Sequence, residues 1–170
     1  MQQFVAAIRQ SLQTENWHAA LFLSLAMPDI CAKLEEPASG NAGPRYRFWF
    51  DRYLASVNKI NIMGHEVIFM TAGDCWALRC SLLHEGSDDV GEQRARETVS
   101  QFRFTTMGMH RIKIEKVLVL NVATFCEEVC HAVEAWSADV ESVPEVQDRI
   151  TGIVAIEHGT FSPHPGVRLG

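Results

Sequence analysis

At 170 residues, 47% hydrophobic and 21% charged, the chain has the size of one domain and enough apolar residues to bury its own core. This excludes a disordered chain. The net charge of −6 argues against wrapping nucleic acid by bulk charge, so phosphate recognition requires a local patch.

The first predicted helix is Gln2–Gln13, with Phe4, Val5, Ile8 and Leu12 at helical spacing. Thr14 is the expected cap of a second helix, which carries Trp17, Leu21, Phe22, Leu25 and Ala26. That helix is apolar nearly all round and is expected at the centre of the fold. Pro28 should kink it or begin a new turn ending near Leu34. Residues 35–44 hold three of the expected loop prolines and glycines, Pro37, Gly40 and Pro44. A third helix is predicted from Arg45 to about Val57, with Tyr46, Trp49, Phe50, Tyr53 and Leu54 on one face.

Val67–Met70 is apolar but too short to classify. Asp74 is the expected N-cap of a helix from Cys75 to His84, stopped by Gly86. Val99–Thr106 and His110–Leu120 are rich in β-branched and aromatic residues and predict a β-hairpin or small sheet. A long amphipathic helix follows over Asn121–Val140, then a short one near Glu145–Val154. Residues 1–157 read as one domain, and the tail His158–Gly170 reads as extended or frayed. The expected class is mainly α, a helical bundle with a small β insertion before the last long helix.

Five cysteines, an odd number, do not suggest a secreted disulfide framework, and the N-terminal residues lack the pattern of a signal peptide. The longest apolar run, Ala19–Met27, is far short of the ~20 residues that span a bilayer. A cytoplasmic protein with no membrane association is expected. Cys126, Cys130 and His131 lie close on one helix, but free cysteines on an apolar stripe are more simply core residues. No CxxC or HExxH spacing is present, and neither a metal nor a cofactor is expected. No GxSxG elbow or Gly-rich phosphate loop occurs either.

Two basic regions are candidates for contacting RNA. The third helix mixes Arg45, Arg47 and Arg52 with aromatic residues, a combination that can stack bases and neutralise phosphates. The simpler and preferred reading makes the aromatics the core stripe and the arginines the solvated face. Residues 94–116 carry six cations against Glu97 and Glu115, a net of +4. This strip either faces RNA or pairs with Glu127, Glu128 and Glu134 of the last long helix.

Arg79 and His84 are the candidate catalytic residues. Arg79 has Cys75, Trp76, Leu82 and Leu83 one turn away on either side, so its guanidinium lies on a face that favours burial and must find an anion, a carboxylate or an interface. His84 lies at the predicted helix end, where the dipole favours imidazolium and suits a general acid. Cys80 is a candidate nucleophile only if a histidine approaches it in the fold.

The run Leu78–Gly86, with arginine, four residues, then histidine and a trailing glycine, resembles the motif of the HEPN superfamily. A later amphipathic helix reaching Trp136 is also similar. Cys80 stands where the superfamily usually has a polar residue. The resemblance implies an all-helical homodimer and a metal-independent endoribonuclease, with a toxin–antitoxin or defence role and an antitoxin-like or other protein partner. Arg79 and His84 would cleave RNA to 2′,3′-cyclic phosphate ends. The alternative is a non-catalytic homodimeric module that binds a protein or a nucleotide. In an unbroken helix the two side chains would leave about 140° apart, which predicts unwinding before His84 or a second protomer's contribution.

Overall fold

Helix α2 (Trp17–Glu35) organises the molecule. The computed structural model describes all residues except 39 and 158. α2 packs against α1 (Gln2–Gln13), α3 (Ala42–Tyr53), α4 (Ala72–Glu85), α5 (Val122–Asp139) and α6 (Pro144–Thr151). Its Leu21, Leu25, Met27 and Cys31 are buried, as the nearly all-round apolar sequence requires. Pro28 neither ends the helix nor starts a new one, because α2 runs through it. A proline inside a helix costs roughly 3 kcal/mol, and burial against five neighbouring helices exceeds that cost. The N-cap is Asn16, whose Oδ1 accepts from the Ala19 amide, whereas Thr14 closes α1 with its amide on the Gln10 carbonyl. Asparagine is the stronger N-cap of the two.

α3 begins three residues before the predicted start and ends at Tyr53. Beyond it, the end of the predicted helix is replaced by a 3-10 turn at Ser56–Asn58, and strand β1 (Lys59–Ile62) follows. β1 pairs antiparallel with β2 (His65–Ile68), which takes in part of the unclassified apolar run. Met63 and Gly64 both have positive φ at the turn between them. Glycine favours that conformation, and the Asn61 side chain accepts from the Gly64 amide.

α4 begins earlier than predicted. Thr71 is its N-cap and Asp74 its third residue, and the two exchange hydrogen bonds in a capping box. Gly86, at φ +68, ends the helix as expected, with its amide on the Leu82 carbonyl. The other oxygen of Asp74 accepts the amides of Glu97, Thr98 and Val99 at 2.7, 2.9 and 3.1 Å. The chain returning from α4 is thereby tied to the helix start. It passes so close to Gly73 that a Cβ there would lie 2.4 Å from the Ala95 carbonyl oxygen.

The β insertion is a three-stranded sheet of β3 (Gln101–Thr105), β4 (Ile112–Ile114) and β5 (Val117–Asn121), in the order β3-β5-β4. The two β-rich runs do not form one hairpin. β3 and β5 are parallel, and the antiparallel pair, β4 with β5, lies inside the second run. Phe102, Leu118 and Leu120 are fully buried. This sheet leads directly into α5, where Asn121 caps the helix by accepting from the Thr124 amide. Beyond α6, the tail expected to be extended or frayed holds a hairpin of β6 (Phe161–His164) and β7 (Val167–Leu169); position 158 lies outside the described residues. The chain is therefore mainly α with small sheets. No helix among the described residues is long and apolar enough to cross a membrane.

Candidate functional site

Arg79 and His84 meet within one chain. α4 is unbroken from Ala72 to Glu85, yet Nη1 of Arg79 lies 3.1 Å from Nε2 of His84. The predicted angular separation describes only where the side chains leave the helix. The long arginine side chain spans the difference, so the contact needs neither unwinding nor a second protomer.

Trp76 and Asp29 also hold the guanidinium of Arg79. It lies over the Trp76 indole, 5.2 Å from the ring centroid. Nη2 donates to Oδ2 of Asp29 at 3.4 Å. Asp29, from α2, also accepts Nη2 of Arg45, from α3, on its Oδ1 at 3.1 Å. Trp76 is itself braced by the Tyr46 ring, with centroids 5.1 Å apart, and Tyr46 shares a hydrogen bond with Cys75. Arg79 is therefore 19% exposed, while His84 is exposed at the helix end.

The direction of the Arg79–His84 bond follows from its chemistry. Guanidinium has no acceptor, so Nε2 of His84 must present its lone pair and a neutral ring carries its proton on Nδ1. In this arrangement His84 is a base in form, with its lone pair capped by Arg79. The position of His84 at the helix end had favoured the acid form.

The third-helix arginines diverge in role. Arg45 is buried and ion-paired, not on a solvated face. Arg52 pairs with Glu35 and Asp139 and lies over Tyr53. Arg47 is half-buried, donates to the Gly43 carbonyl and lines a hollow of about 560 Å³ with Phe48, Lys59 and Glu66. Tyr46, Trp49 and Phe50 form the expected core stripe.

Four of the six cations of the basic strip are engaged within the chain, two of them by carboxylates. Arg103 pairs with Asp88, and Arg111 with Glu128 of α5. Arg96 donates to the Gly91 carbonyl, and Lys113 to the carbonyls of Ile68 and Phe69 and to Thr98. Pairing with α5 thus accounts for one arginine of the strip, while Glu127 and Glu134 are taken by Arg9 of α1. His110, the other histidine that follows an arginine at similar spacing, accepts the Asn121 amide on Nδ1. Burial, reinforced by the neighbouring Arg111, pushes its pKa down to about 4.

Burial raises the pKa of the Cys80 thiol despite the nearby Arg79, which disfavours the thiolate that a cysteine nucleophile needs. Cys75, Cys126 and Cys130 are buried, and burial pushes their thiols up to about 12, 11 and 12. Among the described residues no group of three or more His, Cys, Asp or Glu side chains is placed to hold a metal ion. A second hollow, of about 970 Å³, lies between the start of α2 and the end of β3, lined by Trp17, Phe22, Arg103 and Phe104. Neither hollow includes Arg79 or His84 in its lining.

Asp29 was not singled out from the sequence. The available signal was a lone carboxylate in the middle of an otherwise apolar helix, since such a group is rarely left unpaired on burial. Compared with protein-family models, curated proteins and solved structures, the chain matches none.

Proposed function

We propose that the Arg79–His84 pair serves a metal-independent endoribonuclease of the HEPN type, working as a homodimer. The observation that carries this reading is the 3.1 Å contact between the two side chains at the exposed end of α4, with the histidine lone pair directed at the guanidinium. In the proposed reaction Arg79 turns from Nε2 of His84 to the RNA phosphate, and a 2′-oxygen attacks the adjacent phosphorus as the freed Nε2 of one His84 takes its proton. The bond to the 5′-oxygen breaks as the second protomer's His84, in its protonated form, donates a proton to that oxygen. Arg79 stabilises the charge gathered on the non-bridging oxygens. The products are a 2′,3′-cyclic phosphate and a 5′-hydroxyl. A protein partner would act by covering His84.

One observation favours a second reading, a non-catalytic homodimeric module that binds a protein or nucleotide. Arg79 is already paired with Asp29 and mostly withdrawn from solvent. Cleavage of single-stranded and structured RNA in excess EDTA separates the two. The nuclease reading expects cyclic-phosphate ends from the wild type and loss of cleavage in Arg79→Ala and His84→Ala variants that elute as the same oligomer. Wild-type cleavage by His84→Ala would overturn it, and no cleavage by a folded wild-type dimer would favour the module.

A further inference from the structure

We propose that Asp29 is the positioning residue of the Arg79–His84 site, an inference that rests on the ribonuclease reading. Three independent elements converge on this carboxylate. Asp29 comes from α2, Arg45 from α3 and Arg79 from α4, and each oxygen of Asp29 takes one guanidinium. The side chains of Arg45, Arg79 and Asp29 are 8%, 19% and 23% exposed. At such depth an ion pair is weakly screened and orients its partners strongly.

The geometry assigns the two arginines different tasks. Arg45 is buried and holds Asp29 from α3. Arg79 bridges the carboxylate and the histidine, with one Nη on Asp29, the other on His84, and its Nε buried without a hydrogen-bond partner among the described residues. Its Cζ lies over the Trp76 ring, and Asp29, which holds Nη2, limits the rotation of the guanidinium that aims Nη1 at Nε2 of His84. Asp29 thus selects the Nδ1–H tautomer of His84 from a distance, because the tautomer follows the bond made by the opposite nitrogen. Arg45 accordingly supports the site from behind and does not itself contact substrate.

The inference is tested without relying on cleavage. Imidazole ¹⁵N shifts of the full chain, with His84 assigned by its loss in His84→Ala, report the tautomer. In the wild type His84 is expected as Nδ1–H, with Nε2 as an unprotonated acceptor. Arg79→Ala should abolish that preference, and Asp29→Asn should shift it in the same direction. Asp29→Glu, which keeps a carboxylate for Arg45 if Asp29→Asn does not fold, should retain most of it. In the RNA assay Asp29→Asn should lower kcat about tenfold to a hundredfold with little change in KM, as expected of a misplaced catalytic group.

A folded Asp29→Asn chain, or a folded Arg79→Ala chain, with wild-type His84 shifts would overturn the inference. The two proposals fail separately. If His84→Ala cleaves RNA like the wild type, the ribonuclease reading falls while the shifts still decide the role of Asp29. If His84→Ala is inactive but Asp29→Asn keeps wild-type turnover and shifts, only the role of Asp29 falls.

Discussion

Two aspartates, Asp29 and Asp74, each join a helix to more distant parts of the chain, and they do so in opposite ways. Asp74 is fully buried and accepts six hydrogen bonds, from the amide and hydroxyl of Thr71, the amides of Glu97, Thr98 and Val99, and the Thr98 hydroxyl. Burial pushes its pKa up, but the hydrogen bonds from Glu97, Thr98 and Val99 outweigh that and hold it below the ordinary carboxylate value. Asp29 accepts two bonds, both from long side chains, and keeps access to solvent. A carboxylate saturated by backbone amides fixes a fold, because its donors cannot leave without unfolding a loop. One shared between two guanidiniums fixes an orientation, because its donors can rotate away.

The largest expected effect is at Asp74. Asp74→Ala should cost about 3 kcal/mol or more in urea unfolding, since it removes a helix cap and strands buried amides. A loss below about 1 kcal/mol would break the contrast. Because its folded pKa is depressed, this carboxylate contributes stability above its unfolded value near 3.9. That contribution is lost as pH falls through the lower folded value.

Next comes His110, whose neighbour Glu128 is shared between His110 and Arg111. The unfolded state protonates near pH 6.5 and the folded state only near 4. Stability should therefore fall between those values as pH drops, by about 1–3 kcal/mol, and flatten below. His110→Gln should flatten the slope in a series of unfolding curves. An unchanged slope would place the titration elsewhere.

Arg79→Ala should lose an estimated 1–2 kcal/mol of stability, through its ion pair and its packing on Trp76, while abolishing RNA cleavage under the proposed function. Arg79→Lys should recover the stability better than the activity, because an ammonium cannot reach Asp29 and His84 with one planar fork. Equal recovery of both would assign the arginine to structure. The smallest effect is expected at Arg52, whose pairs with Glu35 and Asp139 are largely exposed. Arg52→Ala should cost below about 1 kcal/mol and become neutral in high salt.

The helices were legible wherever one chemical pattern dominated. α1 and α5 follow apolar spacing, α2 is apolar nearly all round, and Gly86 ends α4 where its positive φ makes glycine favourable. The Thr71–Asp74 box was also written in the sequence, as threonine followed three residues later by an acid. Asp74 hides it, because an aspartate at that place itself has the chemistry of an N-cap. The β1–β2 hairpin was missed because its strands are short and mostly exposed, which leaves little burial pattern to detect. The parallel pairing of β3 with β5 was hidden for a different reason. Strand composition shows that residues pair, but not in which direction.

Local physics is enough to determine the mainly α class, the central place of α2, the core face of α3 and the choice of Arg79 and His84 as unusual residues. Each depends on neighbours within about two helical turns, which the linear sequence displays. Tertiary structure alone decided that Arg79 reaches His84 along an unbroken helix, that Arg45 is buried and that Asp29 joins them. The spacing of Arg79 and His84 along α4 is a local quantity, but the path of a long flexible side chain is set by what surrounds it. Here those surroundings are Trp76 beneath the guanidinium and a carboxylate fifty positions earlier in the chain, brought alongside by the packing of α2 against α4.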